Sequence, residues 1–252
     1  MYTNQIREKL KGADIPILGA SLQIASLIIV EMLAYAGFDY VMLDGEHGMA
    51  GTNLPTLIMA AHGAGITPIV RVPNHDRGFI LPALELGAGG VQVPMVETPE
   101  QAAMLVKEVK YAPVGQRGYS TATRAARYGV IPRENYANKA NENTLLIVTI
   151  ETEEGRQNAR EIAAVPGVDI VFIGRDDLSE SLGELGNRDA PKVHDAIRSI
   201  IYQVGQHVPV ASTAFMRSDI ERWVPEGISI FLTSTTRPIQ EALSNIVTFL
   251  KG

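Results

Sequence analysis

Short runs of β-branched and other apolar residues alternate along this chain with longer segments of helical periodicity. The runs predict strands at 15–19, 40–43, 67–70, 90–94, 145–150, 169–173, 208–211 and 228–233. Between them, the spacing predicts helices at 53–62, 76–86, 99–110, 155–164, 191–204 and 218–226. Thr98 precedes Pro99, and proline suits the first helical position. Gly63 and Gly87 follow helical runs and suit the left-handed conformation that ends a helix. The strands are continuously apolar, as in sheets covered on both faces. Eight strands, each followed by a helix, predict an α/β fold of the (β/α)8 barrel type. A doubly wound open sheet is the competing arrangement. No Gly/Ser-rich or Pro-rich linker divides the chain, so residues 1–252 read as one domain. The polar segment 111–143 breaks the spacing and carries Arg117, Arg124, Arg127 and Arg133. It is expected to be a long excursion after the fourth strand, of the kind that covers a site.

Composition narrows the chemistry. Of 252 residues, 46% are hydrophobic and 20% charged, enough for a sizeable core, which excludes wholesale disorder. The net charge of −6 gives no general attraction to phosphate backbones, so no nucleic-acid partner is expected. There is no cysteine, which excludes disulfides, thiolate nucleophiles and zinc–sulfur sites. Any metal must be held by oxygen or imidazole. The opening MYTNQIREKLKGADIP lacks a signal-peptide core and has two acidic residues. The longest apolar stretch, 24–36, is broken by Ser26 and Glu31 and is too short for a bilayer. No membrane partner is expected, and the cytoplasm is the default location.

Active residues of a barrel project from the carboxyl ends of its strands. The second strand is followed by Asp44-Gly45-Glu46-His47-Gly48, the third by Arg71, the fourth by Pro94 and Glu97. The fifth is followed by Glu151 and the sixth by Gly174-Arg175-Asp176-Asp177. Glu151 and Asp177, at the ends of adjacent strands, would make a hard-oxygen site for Mg²⁺ or Mn²⁺. Read singly, each is equally a loop acid or helix cap facing solvent. His47 lies three residues after Asp44, whose carboxylate can orient the imidazole in a tight turn. The plainer reading is a histidine that packs in the turn. Arg71 would meet a developing enolate, or else simply pair with a neighbouring acid. His62, His75, His194 and His207 read as structural. Gly87, Gly89 and Gly90 precede a strand rather than opening a helix, so they fail as a nucleotide phosphate loop.

The same residues resemble the HpcH/HpaI aldolase family, the metal-dependent class II pyruvate aldolases. The resemblance is carried in order by Leu43-Asp44-Gly45-Glu46-His47, Val70-Arg71-Val72-Pro73, Leu86-Gly87-Ala88-Gly89-Gly90 and Pro113-Val114-Gly115-Gln116-Arg117-Gly118, then by Ile150-Glu151-Thr152 and Asp177-Leu178-Ser179. It implies a barrel, a homo-oligomer (a hexamer in most members), and a divalent ion, Mg²⁺, Mn²⁺ or Co²⁺, held by the acids that match Glu151 and Asp177. The family's base matches His47 and its charge-stabilising arginine Arg71. An acid supporting the histidine aligns with Glu85, and Asp44 with a second carboxylate near it. The implied partners are a 2-oxo acid and an aldehyde, and the implied reaction joins or splits them as a 4-hydroxy-2-oxo acid, with Thr149, Gly174, Asp176 and Asp177 around the substrate.

The sequence departs from the family pattern at three places. Thr149 stands where Gln is common, Arg175-Asp176 where Pro-Ala is common, and Thr233-Ser234-Thr235-Thr236 replaces a Gly-Ser-Asp-like turn. Arg175 and Asp176 would either alter carboxylate binding or pair with each other. The departures keep other readings open: cleavage of a malyl- or citramalyl-CoA-type thioester, with the arginines of 117–133 meeting the coenzyme phosphate, decarboxylation of oxaloacetate, or a non-catalytic relative that binds a 2-oxo acid.

Overall fold

The computed structural model describes residues 2–12, 15–48 and 53–251. Helix α1 (Gln5–Gly12) precedes β1 (Ile17–Leu22), α2 (Leu27–Tyr35), β2 (Tyr40–Asp44), α3 (Leu54–Ala64), β3 (Thr67–Arg71), α4 (Arg77–Glu85), β4 (Gly90–Val93) and α5 (Pro99–Val109). The second half runs α6 (Arg133–Asn143), β5 (Leu145–Ile150), α7 (Glu153–Gln157), α8 (Ala159–Ala163), β6 (Ile170–Ile173), α9 (Arg175–Ser181), α10 (Pro191–Val204), β7 (Val210–Thr213), α11 (Arg217–Trp223), β8 (Ile228–Ser234) and α12 (Thr236–Lys251). Neighbouring strands pair in parallel and β8 pairs with β1, so the sheet is a closed barrel, not the open competitor.

Alternation along each strand sorts the core into two shells. Tyr40, Met42, Ile69, Ile147 and Phe172 point into the barrel, and Ile6 of α1 joins them and plugs its amino-terminal end. Val41, Leu43, Val148 and Val171 point outward against the helices. Helix starts are chemically marked. Thr98 and Gln101 form a reciprocal capping box on α5, and the Asp76 carboxylate caps α4 by accepting from Gly78 N–H at 2.7 Å.

The departures from expectation have local causes. Strand β1 runs on to Leu22, because Ala20, Ser21 and Leu22 pair with β2 despite modest strand propensity. Gly63 lies inside α3, and Gly65, at φ +79°, ends it. The helix expected at 155–164 is divided at Asn158. Segment 111–143 does not cover the strand ends of its own chain. Tyr111, Ala126, Ile131 and Tyr136 form a separate apolar cluster. Ala125 N–H donates to Glu85 O at 3.0 Å and Arg124 to Leu86 O at 2.9 Å, which fastens the segment at the carboxyl end of α4. Arg117 lies over Tyr111, and Arg124 and Arg127 over Tyr2, so these cations are committed away from the strand-end rim.

Among the described residues, two apolar faces are left without cover. From Arg237 onward, every described residue of α12 is exposed, although Ile239, Leu243, Ile246, Val247 and Leu250 form one helical stripe. Helix α2 exposes Ile28, Met32 and Tyr35. Among the described residues no helix is long and apolar enough to cross a membrane.

His62 stacks on Tyr2 with ring centroids 3.5 Å apart, and its Nδ1 lies 2.9 Å from Arg124 Nη1. Burial first, then the Arg124 charge, push its pKa down to about 4. As pH falls below the unfolded value near 6.5, the unfolded chain binds the proton first, so stability is lost down to about pH 4. Thermal unfolding of wild type should show an acid loss on the order of 2 kcal/mol from this group. His62→Phe, which keeps the stack and cannot titrate, should flatten that limb, and an unchanged limb would remove His62 as its source.

Candidate active site at the carboxyl ends of the strands

The register of β2 and β3 sets Asp44 directly beside Arg71. Asp44 is fully buried and accepts from Arg71 Nε at 3.0 Å and Nη2 at 2.6 Å, a two-pronged pairing. Its Oδ1 also accepts the backbone N–H groups of Glu46 and His47, both at 3.1 Å, so the Asp-Gly-Glu-His turn folds around its own first residue. Burial opposes ionisation of Asp44, but the Arg71 guanidinium and these N–H groups outweigh it and hold the carboxyl below its usual range. This corrects the expected role of Asp44: it binds the backbone of His47, not the imidazole, and its charge serves Arg71.

The imidazole belongs instead beside Glu46, which the sequence reading left without a role. Glu46 Oε2 lies 3.7 Å from His47 Nε2 and 3.0 Å from Arg71 Nη1. The signal was available, since Glu46 sits two residues past Asp44 in the same turn. Partial burial, then the nearby Asp44 and Asp177 charges, raise its carboxyl pKa, against the pull of Arg71 and His47. His47 is the more open member, with its side chain 58% exposed at the cavity mouth.

Glu151 follows β5 and is buried. Its Oε1 accepts Met95 N–H at 2.7 Å. Met95 reaches this position by adopting φ +54°, the left-handed region that costs a non-glycine residue about 1–2 kcal/mol. Ile150 pairs with Ile173, which brings Gly174 alongside Glu151. A Cβ at 174 would collide with the Glu151 carboxylate, so the absent side chain makes room for the acid. Asp177, in the first turn of α9, lines the same cavity of about 260 Å³ as Glu151, Arg71, His47 and Thr149. Thr149 Oγ1 accepts from Gln92 Nε2 at 3.3 Å on the cavity floor.

The other sequence candidates lie elsewhere or point elsewhere. Glu85 ends α4 at the opposite end of the barrel, near Tyr111, and within one chain it does not meet His47. Arg175 and Asp176 do not pair with each other. Arg175 is buried and donates to Asp189 Oδ1 at 2.9 Å and Asp219 Oδ1 at 3.2 Å, while Asp176 is exposed with Arg188 at 3.7 Å.

Negative charge accumulates at this rim. The Glu151 carboxyl is pushed up to about 7, first by burial and then by Asp177 and Glu46, against Met95 N–H and Arg71. Carboxylates crowded in a half-dry cavity are a donor set that suits a hard divalent cation. Among the described residues no group of three or more His, Asp and Glu side chains is arranged to hold a metal. Glu151 and Asp177, both lining the cavity, are two oxygen donors of the kind such a cation takes.

Comparison with known proteins identifies the family. The HpcH/HpaI aldolase/citrate lyase family model matches residues 21–226. The chain is 37% identical over 231 residues to the 5-keto-4-deoxy-D-glucarate aldolase of Salmonella newport, covering 90% of this chain and 88% of the relative. A family protein from Burkholderia cenocepacia superposes with TM-score 0.91 at 30% identity, covering 99% of this chain and 100% of the other. The HpcH/HpaI aldolase of Desulfitobacterium hafniense gives TM-score 0.92 at 26% identity, with 98% and 96% covered. The chain belongs to the HpcH/HpaI aldolase/citrate lyase family and is an enzyme of its aldolase class.

Proposed function

We propose that this enzyme is a divalent-cation-dependent class II aldolase that cleaves or forms 4-hydroxy-2-oxo acids through the enolate of pyruvate. The observation that carries the reading is the convergence of Glu151, Asp177, Arg71 and His47 on one cavity from four different strand ends. Glu151 and Asp177 would hold the Mg²⁺, Mn²⁺ or Co²⁺. When bound, the cation supplies charge withdrawal from the 2-oxo group, which makes the carbon beside it acidic.

The protein's own groups do the rest. In cleavage, His47 takes the 4-hydroxyl proton, the C3–C4 bond breaks, its electron pair passes to the 2-oxo acid, and the C4 fragment leaves as an aldehyde. A proton returned to C3 completes pyruvate. Arg71 faces the oxygens that gain charge, and Asp44 fixes its fork before substrate arrives. Glu46 holds the third side of Arg71 and offers His47 a carboxylate partner once the imidazole is protonated. Thr149 and Gly174 shape the floor around the 2-oxo acid, and Asp176 stands at its edge.

The exposed faces support self-association. Helix α12 follows β8 directly, yet does not lie back on the barrel, and α2 is left with an apolar outer face. A second copy of the chain would cover both, its α12 stripe packing where this one's does not.

Calorimetry with Mn²⁺ should show binding to wild type that weakens at least about 100-fold in Asp177→Ala. Chelation should stop pyruvate release from 4-hydroxy-2-oxo acids. Cleavage that survives chelator would reject the cation. Asp44→Asn should lower kcat/KM about 100-fold with the fold intact by circular dichroism, because Arg71 loses its charged brace. Full activity would remove that role. Sedimentation should show an assembly larger than one chain, shifted toward monomer by Leu243→Asp with Ile246→Asp; a monomeric wild type would refute self-association.

A further inference from the structure

We infer that the protein carries an anion site at the amino-terminal end of the barrel, built on Arg117 and sized for one monatomic anion such as chloride. The site shares no residue with the strand-end cavity and stands independently of the aldolase reading.

Arg117 belongs to segment 111–143 and is 6% exposed. Its Nε and Nη2 are buried and have no hydrogen-bond partner. One face of the guanidinium is taken, its carbon lying 4.7 Å from the centre of the Tyr111 ring. Stacking uses that face and leaves the in-plane N–H groups free. The Nε–Nη2 edge is the one with which Arg71 grips Asp44, and at Arg117 it meets no acid.

Arginine cannot shed its proton to relieve burial, and an uncompensated buried charge is too costly to keep. Asp169 does not answer it, because that carboxylate already pairs with Arg7 and with Lys110 Nζ, the latter at 2.7 Å. Glu85 is near enough for its charge to act on Tyr111 but leaves Nε and Nη2 of Arg117 unpaired. Lys110 is itself buried and adjoins Arg117, whose backbone N–H donates to Lys110 O at 2.9 Å. Burial lowers the Lys110 pKa, Asp169 opposes this, and the Arg7 and Arg117 charges add to the lowering. Positive charge is therefore in surplus here, although the whole chain carries −6.

Size selects the guest. Arg117 lines a cavity of about 20 Å³ between the segment, through Ala125 and Tyr136, and the starts of β3 and β4, through Thr67 and Gly89. Such a space holds a guest of one or two heavy atoms. It admits a halide and turns away the four oxygens of phosphate or sulfate. Water would accept the hydrogen bonds but bring no charge, whereas a halide does both. Thr67 adds a donor, since its Oγ1 accepts Gln5 N–H at 2.9 Å and keeps its own O–H. The bound anion bridges segment and barrel and fastens one to the other.

The test reads thermal unfolding of the full-length protein in sodium chloride and sodium bromide against sodium gluconate, at one ionic strength and pH. Both halides should raise the midpoint saturably over gluconate, on the order of 3 °C at tenfold excess over the Kd. Arg117→Met, which keeps the apolar stem, should remove that increment, and Met in place of the exposed Arg133 should leave it. A bromide-soaked crystal of the unaltered protein reads the site without any variant: anomalous scattering should place one bromide against Arg117 Nε and Nη2. Water alone, or a side chain of a neighbouring copy, on that edge would overturn the site. So would a halide increment that survives in Arg117→Met, or a bromide in the crystal with no increment in solution, which is an adventitious ion only.

Discussion

Asp44, Glu46, Glu151 and Asp177 crowd around the guanidinium of Arg71 at the strand-end rim, and the proposed chemistry follows from that surplus of negative charge. Asp44 takes two of the three Arg71 nitrogens and Glu46 takes the third. The acids hold Arg71 in place through one contact per nitrogen, and each Nη carries a second N–H beyond these contacts. Glu151 is left with one backbone N–H, and burial first, then the nearby Asp177 and Glu46 charges, push its carboxyl up to about 7. A rim so charged resists folding unless the negative charge is answered. Removing one partner from a buried ion pair such as Asp44–Arg71 costs about 3–5 kcal/mol. The proposed cation answers the surplus at Glu151 and Asp177, and an anionic 2-oxo acid then meets Arg71 and the cation instead of bare carboxylates.

Closure of the sheet is what collects these groups. Asp44 and Arg71 are 27 residues apart and meet because the β2–β3 register places them opposite one another. Glu151 finds its space because the β5–β6 register delivers a residue without a side chain at 174. Its N–H partner comes from β4, through a backbone turn at Met95 that is unfavourable by itself. Such local strain persists when the surrounding packing over-determines it. Here the barrel supplies that packing from both sides.

What the sequence discloses is therefore uneven. Continuous apolar strands and their alternation with helices disclose the barrel, because burial on both faces leaves few residue types to choose from. Strand-end logic discloses His47, Arg71, Glu151 and Asp177 as candidates, because active residues of a barrel gather at the carboxyl-end rim. It does not disclose direction. Asp44 lies within reach of His47 in the chain, but the neighbouring strand brings a stronger partner, so the carboxylate turns to Arg71 and leaves only backbone N–H contacts for the histidine turn. Glu85 shows the opposite limit. Alignment to a family motif places it with the histidine, while its position at the end of α4 puts it at the far end of the same chain. Segment 111–143 reads as a cover for the site because it is long and basic. Its aromatic residues decide otherwise, since Tyr111, Tyr119 and Tyr136 pack on one another and draw the segment toward the carboxyl end of α4.

Arg175 shows how a charged departure from a family pattern acts when it is not at the substrate. A guanidinium buried to this degree must be paired, because an isolated buried charge is too costly to keep. Pairing with Asp176 would have spent both charges locally. Pairing with Asp189 and Asp219 instead ties α9 to the loop before α10 and to the first turn of α11. The same pairing leaves Asp176 exposed at the rim and Arg188 only loosely answered. Within one short stretch, Asp177 lines the cavity together with Glu151, while the Arg175 guanidinium is spent on Asp189 and Asp219. A charged departure from a family pattern can thus act on the frame that carries a cavity, through buried pairs, rather than on the side chains that line it.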